Sequence, residues 1–295
     1  MYVLKRQMLR SARATCDFLG LQQGDTAFLC MSVDYIAGKM MVVRSLERGL
    51  QLVQVPLSGH PLQGVIVPRE PASLAAMVPL QVYNSLQTAA EREQLQRFTH
   101  VIIGGGAIDT QLERQLSSFP NAIWSSYGMT ETLSHVALRR VSGPSASLWY
   151  RPLPGVSVSL DDDDCLVIDA PAVHDGLLHT HDIATLREDG CFRILGRRDN
   201  VICSGGVKLQ AEAIEQHLQS WLDAPFAFTK RADEKFGEVV VLITTATDLE
   251  MVKAVCVAQL PKYWQPHVFI QVDALPLTAT GKVARNALLS LAEKV

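Results

Sequence analysis

Met8, Ala12, Thr15 and Leu19 recur at helical spacing, so the chain is expected to open on an amphipathic helix that runs into a turn at Gly20 and Gly24. The same stretch is Arg-rich with no acid before Asp17, as a targeting peptide would be, but the periodicity favours an ordinary helix. Residues 26–31 (TAFLCM) read as a buried strand, and residues 36–47 as a helix with Gly49 as its C-cap. Short strands are expected at 52–55 and 64–67, and a segment from Pro68 to Ala76 then leads into a helix that packs on them. Another apolar strand, 100–103, enters Gly104-Gly105-Gly106, with a helix at 108–118 and a strand at 122–126 beyond. Strand alternating with helix predicts an α/β layer arrangement.

From about Val136 the pattern shifts to short strands and turns. Residues 157–170 read as a hairpin across the acidic run Asp161–Asp164, and residues 181–197 as a second hairpin turning at Asp189-Gly190. Past Asp199 the pattern mixes again: helices at 211–218, 249–259 and 284–292, with a strand at 239–244. A boundary at 198–200 divides the chain into a large α/β part, residues 1–198, of sheets with flanking helices and a small β-barrel-like portion, and a smaller α+β part, residues 199–295, joined by a hinge.

Composition narrows the class. At 295 residues, 48% hydrophobic and 19% charged, the chain is a folded protein long enough for two domains. A net charge of −3 with scattered basic residues argues against a nucleic-acid partner. Six cysteines without a CxxC pair argue against a zinc site, suggest a reducing cytoplasm, and read by default as small buried hydrophobes. No apolar run approaches the roughly 18–20 residues of a membrane span.

Four segments carry polar groups suited to chemistry. The turn IIGGGAID (102–109) lets a ligand approach bare backbone near a helix N-terminus. SSYGMTETLS (125–134) offers an aromatic face at Tyr127, a hydroxyl at Thr130 and a carboxylate at Glu131 for Mg²⁺; a polar loop with Thr130 or Thr132 as helix N-cap fits it equally well. In the stretch 180–215, Asp182 suits ribose hydroxyls, Arg197 a ribose or phosphate, and Ser204-Gly205-Gly206 a thin ligand passing bare backbone; a turn former and a surface ion pair are the structural alternatives. In LPLTATGK, Thr278, Thr280 and Gly281 form a turn before Lys282, which can be aimed at a phosphate or simply be solvated. The four adjacent acids at 161–164 read as a solvated turn, because the chain alternates their directions.

In this order, GGGA (104–107), YGMTE (127–131), HD (181–182), GRRDNVICSGG (196–206) and PLTATGK (276–282) resemble the adenylate-forming superfamily of acyl-CoA synthetases, firefly luciferases and peptide-synthetase adenylation domains. A closer resemblance, carried by residues 17–49, 126–140, 203–215 and 260–282, is to the o-succinylbenzoate-CoA ligases of menaquinone biosynthesis. The resemblance implies an ATP-dependent acid-CoA ligase using ATP, CoA and Mg²⁺, on o-succinylbenzoate or on another aromatic or fatty acid. It also implies roles. Gly105, Gly106 and Ala107 would line the adenine and acyl pocket, Tyr127 with Gly128 would meet adenine, Thr130 the phosphates and Glu131 the Mg²⁺. Asp182 would bind ribose with Arg197 in support, Asp199 would be the hinge, Gly205 and Gly206 would pass CoA, and Lys282 would bridge carboxylate and α-phosphate. Tyr35 and Ser126 would lie near the acyl substrate, and relatives often form homodimers.

One departure stands out. The resemblance places a Ser/Thr/Gly-rich phosphate loop ahead of the first helix, and MYVLKRQ has neither glycine nor threonine. Either that loop lies upstream of Met1, making the large part incomplete, or the protein lacks this phosphate clamp and is a non-catalytic acyl- or AMP-binding remnant. Lacking it would weaken ATP binding and adenylation.

Overall fold

The computed structural model describes residues 2–278 and 282–294. The chain forms two compact units: residues 1–161, 167–180 and 186–193, and residues 162–166, 181–185 and 194–295.

The first unit is built on a seven-stranded sheet. Helix α1 (Lys5–Leu19) ends at Gly20 and leads into β1 (Thr26–Leu29), α2 (Ile36–Arg48) and β2 (Gln51–Gln54). Strand β3 (Ser73–Met77), α3 (Pro79–Leu86), α4 (Ala89–Arg97), β4 (His100–Ile103), α5 (Thr110–Ser117), β5 (Ala122–Gly128), β6 (His135–Arg140) and β7 (Arg151–Pro152) follow. Their spatial order is β2-β1-β3-β4-β5-β6-β7, parallel through β5 and antiparallel thereafter.

Alternation sorts the side chains into two cores. Phe28, Ala75, Met77, Val101 and Ile103 point to one face, where Val82, Leu86, Leu95 and Leu112 of α3, α4 and α5 cover them. Ala27, Leu29, Leu74, Ala76 and Ile102 point to the other, beneath Cys16, Leu19 and Met41 of α1 and α2. With both faces covered, the central strands β1, β3 and β4 are apolar after their first residues Thr26, Ser73 and His100, as expected of parallel strands buried on both sides.

Two expectations fail here. Residues 64–67 form no strand; at Val67 both backbone groups are taken by α4 side chains, where Gln94 Oε1 accepts from Val67 N–H (2.8 Å) and Arg97 Nε donates to Val67 O (2.7 Å). Residues 73–76, read as the approach to a helix, lie in the central strand β3, where Leu74 and Ala75 stand opposite His100 and Val101.

Strands β8 (Ser157–Leu160), β9 (Cys165–Asp169), β10 (Leu177–Leu186) and β11 (Phe192–Arg197) make a four-stranded sheet of order β11-β10-β9-β8, and both expected hairpins are present. The acidic run is the β8–β9 turn, as expected.

In the second unit, β12 (Val201–Ser204), β13 (Val207–Gln210), α6 (Ala211–Leu218), β14 (Phe226–Asp233), β15 (Gly237–Thr244), α7 (Leu249–Gln259), β16 (Val268–Gln271) and α8 (Arg285–Ala292) form a five-stranded sheet with helices. Phe228, Val240 and Leu242 pack with α6 and α7; Ala227, Val241 and Ile243 pack with Leu288 and Ala292 of α8. The cysteines do not all follow the default: four are buried, Cys191 is half-buried and Cys203 on β12 is exposed. Among the described residues no helix is long and apolar enough to cross a membrane.

Candidate active site

The C-terminal edge of the parallel sheet gathers the first set of candidate residues, the edge where open α/β sheets bind ligands. Ile103 stands opposite Ser125, so the glycine loop leaves the sheet after β4 next to Ser126-Tyr127-Gly128, the last residues of β5. Gly104 N–H donates to Met77 O (3.0 Å), Ser126 Oγ donates to Ile103 O (3.1 Å), and Asp109 caps α5 by accepting from Leu112 N–H (2.8 Å). Gly105 and Ala107 are exposed on this loop, and Gly106 is half-buried between them.

Residues 129–134 are a turn joining antiparallel β5 and β6, so neither Thr130 nor Thr132 caps a helix there. The residue that shapes the turn is Thr132, which is fully buried. Its hydroxyl accepts from Met129 N–H (3.0 Å) and donates to Ser134 O (2.7 Å). Gly128 is obligatory at the turn's entry: a Cβ there would stand 2.3 Å from Ser134 O and 2.5 Å from His135 Cα. From α2, buried Arg44 donates through Nη2 to Ser134 Oγ (2.7 Å). No carboxylate pairs with it among the described residues, its Nε has no partner, and burial lowers its pKa to about 10. His135, with Nε2 3.0 Å from Thr15 Oγ1, is pushed well below its ordinary pKa by burial and by the charge of Arg44.

Anchored in this way, the turn exposes Thr130 and Glu131 at its tip. The Glu131 carboxylate has no partner among the described residues, which fits a ligand position for Mg²⁺. No group of three or more His, Cys, Asp or Glu able to hold a metal occurs among the described residues, so the remaining ligands would be phosphate oxygens and water, the usual surroundings of Mg²⁺ in nucleotide enzymes. Tyr127 is half-buried beside Tyr150 and Phe192. Tyr35, at the N-cap of α2, is 55% exposed.

The second unit holds the other candidates. Arg197 donates through Nη1 to Asp182 (3.1 Å) and through Nη2 to Asp199 (3.0 Å). His181 Nδ1 lies 3.0 and 3.1 Å from the two Asp199 oxygens, and therefore carries the proton that a carboxylate needs from its partner. Burial alone would raise the Asp199 pKa, but His181 and Arg197 outweigh it and hold that carboxyl below its ordinary value. Gly205 (φ 57°) and Gly206 (φ 81°) are the two central residues of the β12–β13 hairpin, in which Ser204 pairs with Val207; two successive positive φ values are what such a loop requires. Cys203, just before the turn, is exposed.

Thr278 and Lys282 are bonded to each other: Thr278 N–H donates to Lys282 O (2.7 Å), and Thr278 Oγ1 accepts from Lys282 N–H (3.1 Å). Thr280 and Gly281 lie outside the described residues. The Lys282 ammonium is exposed and has no partner among the described residues.

Sequence reasoning named Thr132 only as a helix N-cap, and missed Ser134 and Arg44 behind the turn, the pair Tyr150 and Phe192, and His181 as a partner of Asp199. The adjacency of Thr130 to Thr132 carried a signal, since alternating hydroxyls at a hairpin suit one exposed and one turn-closing role. Arg44 carried one too: an arginine directly after MMVV, in helical register with Met40 and Met41, points to a buried polar partner.

The AMP-binding enzyme family matches residues 3–182 of this chain. The 2-succinylbenzoate–CoA ligase of Bacillus mycoides is 25% identical over 308 aligned residues, covering 94% of this chain and 64% of the relative's own length. The chain therefore spans less than two thirds of that relative. Among solved structures, the acyl-CoA synthetase (AMP-forming)/AMP-acid ligase II-like protein from Dyadobacter fermentans is 32% identical with a TM-score of 0.63, over 97% of this chain and 83% of that one. The o-succinylbenzoate CoA synthetase of Bacillus subtilis, in complex with its acyl-adenylate intermediate, shares the fold at a TM-score of 0.80 and 20% identity, over 97% of this chain and 65% of that one. With more than half of its length matched, and a 32%-identical relative of which it covers most, the chain belongs to the AMP-binding enzyme family.

Proposed function

We propose that this chain carries the machinery of an AMP-forming acid-CoA ligase, and that its acid is o-succinylbenzoate. The carrying observation is the turn of residues 129–134. It carries a hydroxyl and a carboxylate without a partner among the described residues on an internally hydrogen-bonded tip, beside an aromatic ring and a glycine loop, a set suited to base, phosphates and Mg²⁺ together. The choice of acid is supported by the names of the relatives.

A carboxylate is a poor acyl donor. In the proposed reaction its oxygen attacks the α-phosphorus of ATP and pyrophosphate leaves. The CoA thiolate then attacks the acyl carbonyl, forming the thioester as AMP departs with the electron pair of the broken C–O bond. Glu131 would hold Mg²⁺, which supplies charge neutralisation at the phosphates. Thr130 donates to phosphate oxygens, Asp182 accepts from ribose hydroxyls with Arg197 in support, and Lys282 offsets charge on the transferring phosphoryl group. Asp199 serves as the hinge between residues 1–198 and 199–295, and the bare Gly205-Gly206 backbone gives the pantetheine arm room.

Acid-dependent exchange of labelled pyrophosphate into ATP, run over a panel of aromatic, succinylated and fatty acids, tests this reading. Exchange should appear with o-succinylbenzoate first. Exchange with a different acid would replace the substrate, and none with any acid would remove the ligase.

A further inference from the structure

We propose that Tyr150 is a positioning residue for the nucleotide base, acting through Tyr127; this rests on the ligase reading above. A stacking platform lowers the cost of binding only if its ring is already held when the base arrives. Two rings hold Tyr127: Phe192 meets it edge-on at 5.1 Å and 78°, and Tyr150 lies against it at 5.9 Å and 56°. Of these, Tyr150 has the most anchors of its own. Its ring stacks on Phe192 at 5.5 Å and 23°, and the two backbones exchange hydrogen bonds of 2.7 and 3.0 Å. Its hydroxyl is 2.8 Å from Ser125 Oγ. Ser125 and Tyr127 are two apart on β5 and so share a face, which lets one side chain grip the strand at Ser125 and the ring at Tyr127.

A charge completes the bracket. The Arg139 guanidinium sits 5.5 Å over the Tyr150 ring and is itself locked by Glu113 through bonds of 2.7 and 2.8 Å. Burial alone would lower the Arg139 pKa, but Glu113 and Tyr150 outweigh it and raise it, so the cation persists over the ring. The chain Glu113–Arg139–Tyr150–Tyr127 thus runs from the α5 surface to the candidate base platform without touching the candidate phosphate or metal groups.

The test is a double-mutant cycle on the full chain, using AMP binding by calorimetry and the KM for ATP in pyrophosphate exchange. Tyr150→Ala should raise the AMP Kd and the KM for ATP about three- to tenfold, the range expected for losing an aromatic pair. The kcat and the KM for the acid should stay within about twofold, since only uniform base binding is lost. Tyr150→Phe, which keeps the ring, should restore both to within about twofold, and Tyr150→Leu guards against a failure of the alanine variant to fold. In a Tyr127→Ala background, Tyr150→Ala should add less than about twofold. Full multiplication of the two effects, an unchanged AMP Kd, or a fall in kcat matching the rise in KM would overturn the proposal. Wild-type protein that fails to bind AMP overturns both this and the ligase reading; wild-type binding with an unaffected Tyr150→Ala variant overturns this one alone.

Discussion

The turn of residues 129–134 and the cluster of His181, Asp182, Arg197 and Asp199 both present polar groups for the same proposed chemistry, yet they are braced by opposite means. The turn is held from beneath by buried Thr132 and Arg44 and half-buried Ser134, where each hydrogen bond is costly to leave unmade. The cluster is held in the open by charge, and the Arg197 and Asp199 side chains are about half exposed. The first arrangement fixes geometry and is insensitive to salt; the second permits movement and responds to salt and pH.

That contrast can be broken in order of size. Lys282, exposed and without a partner among the described residues, represents the open extreme. Lys282→Ala should lower acyl-adenylate formation about 100-fold or more while leaving the thermal midpoint and thioester formation from preformed adenylate unchanged. Equal loss of both half-reactions would remove its assigned role.

Next comes Gly128→Ala, whose methyl would collide with the backbone at Ser134 and His135. It should destabilise the protein by about 3 kcal/mol, read from urea unfolding, and abolish activity with it. Thr132→Val keeps shape but leaves Met129 N–H and Ser134 O without the hydroxyl. It should cost about 1–3 kcal/mol and weaken ATP binding; an unaffected variant would show that the turn needs no internal brace.

The smallest effect belongs to the cluster. Because the Asp199 carboxyl is held below its ordinary pKa, its contribution is fully present above about pH 4 and lost as pH falls through the folded-state value. Asp199→Asn should flatten the acid side of a plot of thermal midpoint against pH while changing neutral stability by less than about 1 kcal/mol. A variant as acid-sensitive as the wild type would sink that assignment.

Legibility in the sequence followed the same division. Helices α6 and α7 were readable to the residue, because their apolar spacing and flanking polar residues agree. The strand β3 was not: SLAAM has small, helix-favouring residues, and only its place between β1 and β4 makes it a strand. Residues 64–67 failed in the other direction, since GVIV has strand propensity, yet α4 side chains take both backbone groups of Val67. At the candidate site, exposed groups such as Thr130, Glu131 and Lys282 could be named from motif order. Their partners were harder to name: Thr132 and Arg44 left a signal in the sequence, but Arg44 to Ser134 and Tyr150 to Tyr127 are pairings that only the fold creates.

The uneven cysteines have a practical consequence. Burial pushes the thiols of Cys16 and Cys256 up to about 11 and that of Cys30 to about 12, and Cys191 is also raised, whereas Cys203 stands in solvent two residues before Gly205. A thiol-reactive fluorophore added in limiting amount should therefore label mainly one place, beside the glycine turn, and give an optical reporter of that loop without engineering a new attachment point.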